Sequence, residues 1–241
     1  MGAQYLYRHH CMSIQQPTLR AEEQQRSITV KETGILFTPD NIRAIREDRK
    51  TQTRRVIVPQ PKVSEEEANV LSAAWINGFI DEKCPYGVVG DRLYIKEGVI
   101  VQGKYWSEFT GKPDGTLVGY YMDGRRVENS WEKRLTAMFM AKQFARTWLD
   151  ITDVRVERLQ EISEEDARAE GISVLPLQSE NDPSAWYQSA PGIHQDRTAR
   201  GSYAQLWDSI NGKRGYTWES NPWVWALTFA VGASPNPPRL G

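Results

Sequence analysis

The sequence has few cysteines, few histidines and no long apolar run. Its two cysteines, Cys11 and Cys84, are too few for a disulfide framework. The three histidines, His9, His10 and His194, do not show the spacing of a metal site, and the one local cluster, His9 to Cys11, lies in a polar leader. No apolar stretch approaches the roughly 20 residues that span a bilayer. We therefore expect a cytoplasmic protein without a metal ion or other cofactor and without a membrane partner.

An excess of positive charge is also missing. Lysine and arginine number 30 against 31 aspartates and glutamates, for a net charge of -1. This balance excludes a chain coated with positive charge for nonspecific binding to long nucleic acid, although it allows a local basic patch. The 241 residues, 39% of them hydrophobic, are enough to bury a core in one elaborated domain.

Composition divides the chain into a leader, a domain and a tail. Residues 1–33 are polar and lack the apolar core of a signal peptide, which predicts a flexible leader. Residues 232–241, rich in proline and glycine, predict a flexible tail. The domain then covers residues 34–231, with looser insertions at about 98–140 and 173–200.

Local signals predict short strands mixed with short helices. "GILF" reads as a strand, Thr38 and Pro39 as the start of a helix that ends near Asp48 or Arg49, and "TQTRRVIV" as the next strand. Ser163, followed by acids and then Gly171, predicts a two-turn helix.

Further strands and a helix follow from the same kind of pattern. "GDRLYIKE", "DITDVRVERL" and "NPWVWALTF" read as strands, and "SYAQLWDSI" reads as a short helix. Trp223 and Trp225 in the last strand are predicted to be core residues. Because there is no alternation of strand and long helix and no glycine-rich phosphate loop, we predict an α+β domain built on a small, curled mixed sheet or barrel with short flanking helices.

The segment "DRKTQTRRV" contains the candidate chemistry. In a continuous strand Lys50 and Thr53 would point to opposite faces, but the predicted helix-to-strand junction supplies a bend that can bring them together. A lysine amine can activate a threonine hydroxyl without histidine if its pKa falls from about 10.4 toward 7 or 8. The alternatives are a solvated basic turn, or phosphate contacts made by Arg54 and Arg55.

Taken in order, these segments resemble the ASCH domain family, which has a PUA-like barrel. The resemblance covers roughly residues 34 to 231 and includes "GDRLYIKE", "ITDVRVERLQEISEEDARAEGI", "LWDSIN" and "NPWVWALTF". Its most specific part is a motif of the form R-K-T-x-T-x-R, present as Arg49, Lys50, Thr51, Thr53 and Arg55. The resemblance implies a PUA-like small mixed β-barrel with loop insertions.

The resemblance also implies an activity. In the small bacterial members that hydrolyse N4-acetylcytidine, the lysine and second threonine of the motif act with a glutamate late in the helix after the central strand. Those positions are Lys50, Thr53 and Glu170 in this sequence. The expected function is therefore metal-independent hydrolysis of N4-acylated cytosine or cytidine to cytidine and a carboxylic acid. Arg55 is expected to orient the triad or the substrate.

The pocket walls are expected to differ from those of the small amidohydrolases. This chain is about twice as long, and the stretch that reads "MPRWASR" in many longer relatives is "MAKQFAR" here. Trp106 and Tyr120, together with Tyr121 and Trp131, are expected to wall a wider pocket by stacking, with plain packing of the insertion as the alternative. Arg54 and Arg55 complete the predicted substrate-binding residues.

Two other functions fit the same features. PUA-like barrels often bind nucleic acid, so the chain could be a non-catalytic reader of RNA or of a modified base. The six basic residues between Arg43 and Arg55 would then contact phosphates. A ribonuclease is the second alternative, because that activity also occurs in the ASCH group.

Overall fold

The computed structural model describes residues 30–61, 84–102, 115–175 and 186–235. Within these ranges the three α-helices are α1 (Pro39–Arg46), α2 (Glu164–Ala169) and α3 (Ala199–Asn211). The strands are β1 (Glu32–Leu36), β2 (Gln52–Val56), β3 (Arg92–Lys96), β4 (Val99–Gln102), β5 (Thr116–Tyr120), β6 (Glu132–Leu135), β7 (Trp148–Arg158), β8 (Ser173–Val174), β9 (Tyr187–Gln188) and β10 (Trp223–Gly232). No helix in the described ranges is long and apolar enough to cross a membrane.

The main sheet is mixed and curled, which confirms the predicted α+β class. Its strand order is β1-β3-β7-β10-β2, with β1 parallel to β3 and the other pairs antiparallel. The sheet is not closed: in the described part of the chain no strand pairing joins the edges β1 and β2. The edges nevertheless approach each other, because Arg55 of β2 donates a hydrogen bond to the carbonyl of Leu36 in β1 at 2.9 Å.

The helix-to-strand junction before β2 forms as the sequence predicts. Thr38 is the N-cap of α1, its Oγ1 accepting from Asn41 N at 3.3 Å, and Pro39 occupies the first turn. The helix ends at Arg46, two to three residues earlier than predicted, and Asp48 has a φ of 54°. The chain therefore turns sharply just before Lys50.

The two longest strands, β7 and β10, pair along their whole length and form the centre of the sheet. Most of β10 is buried, and Trp223 and Trp225 are 3% and 7% exposed, as expected of core residues. A bulge lies between Thr228 and Phe229, and Phe229 packs with a different cluster from the two tryptophans. Side chains thus pack on both faces of the sheet, and this packing holds in place the strands that carry the site residues.

The segment predicted as a loose insertion at 98–140 differs from that expectation. It includes an antiparallel sheet of its own in the order β5-β4-β6. The second predicted insertion includes the short hairpin β8-β9. β1 begins at Glu32, two residues before the predicted domain start. Residues 1–29 of the predicted leader and residues 236–241 of the predicted tail lie outside the described residues.

Candidate active site

Lys50 and Glu170 are brought into direct contact, although they are 120 residues apart in the chain. Their backbones form an isolated antiparallel bridge, supported by Thr51 N donating to Ala169 O at 2.8 Å. Lys50 Nζ donates to Glu170 Oε2 at 2.5 Å and to the Glu170 carbonyl at 2.8 Å. The α1-to-β2 turn and the end of α2 therefore meet at this pair.

Glu170 directly follows α2 and is its C-cap residue. Ser163 Oγ accepts from Asp166 N at 3.0 Å and caps the start of α2, while Glu170 caps its end. Gly171 follows with a φ of 100°, and a Cβ there would lie 3.3 Å from the Cβ atoms of both Ala44 and Lys50. The predicted glycine terminator thus also permits the close approach of α2 to Lys50.

The pair is removed from solvent. Lys50 is 2% exposed and Glu170 4%, so both charges lack the hydration that an exposed ion pair keeps. Burial lowers the pKa of Lys50 below its usual value of 10.5; Glu170 opposes this effect, while Arg55 and Arg54 add to it. The amine of Lys50 is consequently easier to deprotonate than that of an exposed lysine.

Arg54 and Tyr203 hold the second oxygen of Glu170. Arg54 Nη1 lies 3.3 Å and the Tyr203 hydroxyl 3.4 Å from Glu170 Oε1. Arg54 also binds Glu157 at 2.7 Å and Asp166 at 3.0 Å. Burial alone would lower the pKa of Arg54, but Glu170 foremost, then Tyr203 and Glu157, raise it above the usual value. Arg54, which was predicted to bind substrate, has three carboxylate partners and holds Glu170; its contact with a substrate stays a prediction.

Thr53 lies on the opposite face of β2 from Arg54, and it is 1% exposed. Its Oγ1 accepts a hydrogen bond from Arg55 Nη1 at 2.7 Å. The Arg55 guanidinium stacks over the Phe37 ring at 4.9 Å, and Lys50 Nζ lies 5.8 Å from the centre of the same ring. Phe37 and Arg55 therefore connect Thr53 with the Lys50 and Glu170 pair.

A cavity of about 380 Å³ shares residues with this group, although Lys50, Thr53 and Glu170 themselves do not line it. It is lined by residues 36–38 and Asn41 at the β1-to-α1 junction, residues 54–56 of β2, Tyr86, and residues at the end of α3. Phe37, Arg54 and Arg55 belong both to this wall and to the surroundings of the triad. We call this space the β2 cavity. Its volume falls within the range of roughly 300–1,000 Å³ typical of small-molecule sites.

Tyr120, Tyr121 and Trp131 of the predicted aromatic wall are not among the residues that line the β2 cavity. Tyr120 is 3% exposed, donates from its hydroxyl to Phe144 O at 2.7 Å and packs with the second sheet, so its contacts are those of a core residue. Arg146 stacks on its ring. Trp131 is 74% exposed, and Trp106 lies outside the described residues. The contacts of Tyr120 therefore agree with the alternative considered for it, plain packing.

Most of the basic run before β2 is paired within the protein. Of its six basic residues, the ones with a carboxylate partner in the structure are Arg43, Arg46, Arg49, Lys50 and Arg54. Arg55 has no carboxylate within ion-pair distance in the described ranges. The run is therefore mostly neutralised, which reduces the number of cations left to contact phosphates. In the same ranges no group of three or more His, Cys, Asp or Glu side chains is arranged around a metal position.

Sequence reasoning missed several residues at this site. Phe37 precedes the N-cap of α1, and its place between two cations has no signal in the sequence. Tyr203 and Arg214 lie in and just after an amphipathic helix whose pattern indicates packing only. They become visible only when α3 is placed against α2 and the edge strand β2.

Comparisons with known proteins give distant structural neighbours. No protein-family model matches the chain, and no curated protein matches it significantly. A DUF984 protein from Enterococcus faecalis V583 is 10% identical over 88% of this chain and 86% of its own, with a TM-score of 0.36. An ASCH domain from Lactobacillus crispatus JV V101 is 12% identical over 83% and 79%, with a TM-score of 0.34. The neighbours thus include an ASCH domain, the family that the sequence resembles, and at these TM-scores they carry nothing about activity.

Proposed function

We propose that the protein hydrolyses the amide of N4-acylated cytosine nucleosides, such as N4-acetylcytidine, to cytidine and a carboxylic acid. The observation that carries the proposal is the buried ion pair of Lys50 and Glu170 at 2.5 Å, with Thr53 held nearby by Arg55. Strongly perturbed titratable groups next to a cavity are typical of functional sites. The sequence resemblance supplies the substrate class, and the residue types supply the chemistry.

The reaction consumes one water and breaks the bond between the acyl carbon and cytosine N4. Thr53 Oγ1, or a water that it aligns, attacks the acyl carbon, and the proton of the nucleophile passes to the neutral amine of Lys50. Lys50 then returns the proton to N4 as the amine departs. If Thr53 is the nucleophile, water hydrolyses the resulting ester by the same proton path. Either route releases one cytidine and one carboxylic acid.

The neighbours of the triad have separate roles in this scheme. Glu170 fixes the Lys50 amine, while Arg54 and Tyr203 hold the far oxygen of Glu170 so that Oε2 stays toward Lys50. Arg55 lies between the β2 cavity and Thr53, and its guanidinium can donate to the oxyanion that forms on the acyl oxygen. Substrate enters through the β2 cavity.

Release of cytidine from N4-acetylcytidine and N4-benzoylcytidine tests the proposal. We expect wild type to release cytidine from at least one of them and Thr53→Ala to lose at least about 100-fold in kcat/KM, since a nucleophile or its alignment is removed. Thr51→Ala is the matched control, because Thr51 lies two residues away and is exposed. No cytidine from wild type, or equal losses in the two variants, would contradict the proposal. Thermal unfolding of each variant checks that it is folded.

A further inference from the structure

The β2 cavity has an unbalanced charge. Three arginines, Arg54, Arg55 and Arg214, line it, and none of its lining residues is an aspartate or a glutamate. Arg54 is neutralised from behind by its three carboxylates. These carboxylates do not balance the charges of Arg55 and Arg214.

Neither of these two arginines has an acidic partner in the described part of the chain. Arg55 donates to Thr53 Oγ1 and to the carbonyls of Arg54 and Leu36. Arg214 approaches only the Oδ1 of Asn211, at 3.5 Å, and stacks loosely on Tyr216 at 5.8 Å. Two guanidinium charges thus face a cavity whose wall offers no anion to balance them.

The two arginines lie at different distances from the chemistry. Arg55 binds Thr53 and stacks on Phe37, so it belongs to the reacting end. Arg214 lies just beyond α3, lines the cavity and is exposed. A ligand in the cavity with its acyl group at Arg55 would have Arg214 available for its other end.

We propose that the substrate is a nucleotide, an N4-acylated cytidine monophosphate, whose phosphate is bound by Arg214. This inference rests on the proposed function and names its substrate class. A planar guanidinium without a carboxylate partner matches a phosphate in charge and in bidentate geometry. A neutral nucleoside carries no anion that could pair with Arg214. In this assignment Arg55 contacts the acyl group and Arg214 binds the phosphate.

Hydrolysis of three substrates tests the assignment: N4-acetylcytidine, its 5′-monophosphate, and a short RNA oligonucleotide with one internal N4-acetylcytidine. We expect the monophosphate to be hydrolysed with a kcat/KM on the order of 10- to 100-fold above the nucleoside, as one charge-assisted contact provides. Arg214→Gln should abolish the preference, so that the kcat/KM values for the monophosphate and the nucleoside become equal. Lys213→Gln removes the same charge one residue away, outside the cavity wall, and should preserve the preference.

The outcomes separate this inference from the proposed function. Equal kcat/KM for nucleoside and monophosphate leaves the proposed function standing and overturns the nucleotide assignment. A preference for the oligonucleotide over the monophosphate overturns it too, because the anion would then be a phosphodiester in a polymer. If none of the three compounds is hydrolysed, the proposed function fails and this inference fails with it. Equal effects of the Arg214 and Lys213 variants would show a general charge effect and also overturn the assignment.

Discussion

Two effects act in opposite directions on the protonation of the Lys50 amine. Its burial favours the neutral form, which can accept a proton, and its contact with Glu170 favours the charged form. The pKa of Lys50 is lowered on balance, so the amine is fixed by a carboxylate and can still lose its proton. That combination is what a general base without histidine requires.

The pH dependence of hydrolysis follows from the lowered pKa of Lys50. If Lys50 accepts the proton, kcat/KM rises with pH through that pKa and levels off, with a midpoint below 10.5. The measurement is a pH series with N4-acetylcytidine, corrected for uncatalysed hydrolysis. Lys50→Arg should be inactive throughout, because a guanidinium stays protonated. A kcat/KM that falls as pH rises through the same range would show that the charged ammonium is needed instead.

At the scale of elements, the end of α2 is what places Glu170 against Lys50. Gly171 has a positive φ, and a Cβ there would lie only 3.3 Å from the Cβ atoms of Ala44 and Lys50, closer than an ordinary van der Waals contact. Two independent constraints therefore select glycine at this position, one from the backbone and one from packing.

Gly171→Ala should both destabilise the protein and reduce activity. The positive φ costs about 1–2 kcal/mol, and the contact with Ala44 and Lys50 adds a smaller cost, because these neighbours need to move only slightly. Displacing Lys50 slightly should also lower kcat/KM for N4-acetylcytidine, by less than the roughly 100-fold that a misplacement of about 1 Å can cost. Urea unfolding and the hydrolysis rate measure the two effects.

Gly215→Ala is the control for the backbone effect. Gly215 has a φ of 83°, and a Cβ there would meet nothing within 4 Å, so it should cost only the backbone strain. Equal losses of unfolding free energy in the two variants would mean that the packing of α2 against Lys50 contributes nothing.

Elements with local signals were predictable from the sequence, and the pairing of distant residues was not. Thr38 with Pro39, and Ser163 with Gly171, indicate helix ends through contacts within a few residues. The second sheet was missed because β4, β5 and β6 are only four or five residues long and lie in a glycine-containing stretch. Their pairing is set by long-range contacts.

The residues of the candidate site were likewise predictable only where the signal was local. Lys50 and Thr53 were chosen from their chemistry and their position at a predicted bend. Glu170 came from a family resemblance, since no local pattern links residues 120 positions apart. The ion pairs of Arg54 with Glu157, Asp166 and Glu170 could not be predicted, because these carboxylates lie 103 to 116 residues further along the chain.

At the scale of the whole molecule, a second buried charge cluster ties the two sheets together. Glu97, 2% exposed, follows β3 and binds Arg46 of α1 at 2.6 Å and Arg146 at 2.9 Å. Arg146 also binds Asp123 and stacks on Tyr120 at the end of β5. The cluster thus links the main sheet, α1 and the second sheet.

Glu97→Ala should destabilise the protein by about 2–3 kcal/mol, because it removes a buried carboxylate that accepts hydrogen bonds from the partly exposed Arg46 and Arg146. Glu128→Ala is the matched control: the Glu128 side chain is 69% exposed, and loss of its ion pair with Arg125 should cost no more than about 1 kcal/mol. Urea denaturation of the two variants beside wild type gives the comparison. A loss below about 1 kcal/mol for Glu97→Ala would contradict the structural role of the cluster.

The most direct test of the Lys50, Thr53 and Glu170 site is the release of cytidine and acetate from N4-acetylcytidine by wild type and Lys50→Met. Methionine suits the buried position, and Glu170 keeps Arg54 and Tyr203 as partners, so the variant should fold. We predict one cytidine and one acetate per substrate from wild type, and a loss on the order of 100- to 10,000-fold in kcat/KM for folded Lys50→Met. Equal rates from the two proteins, or no release by wild type, would contradict the account.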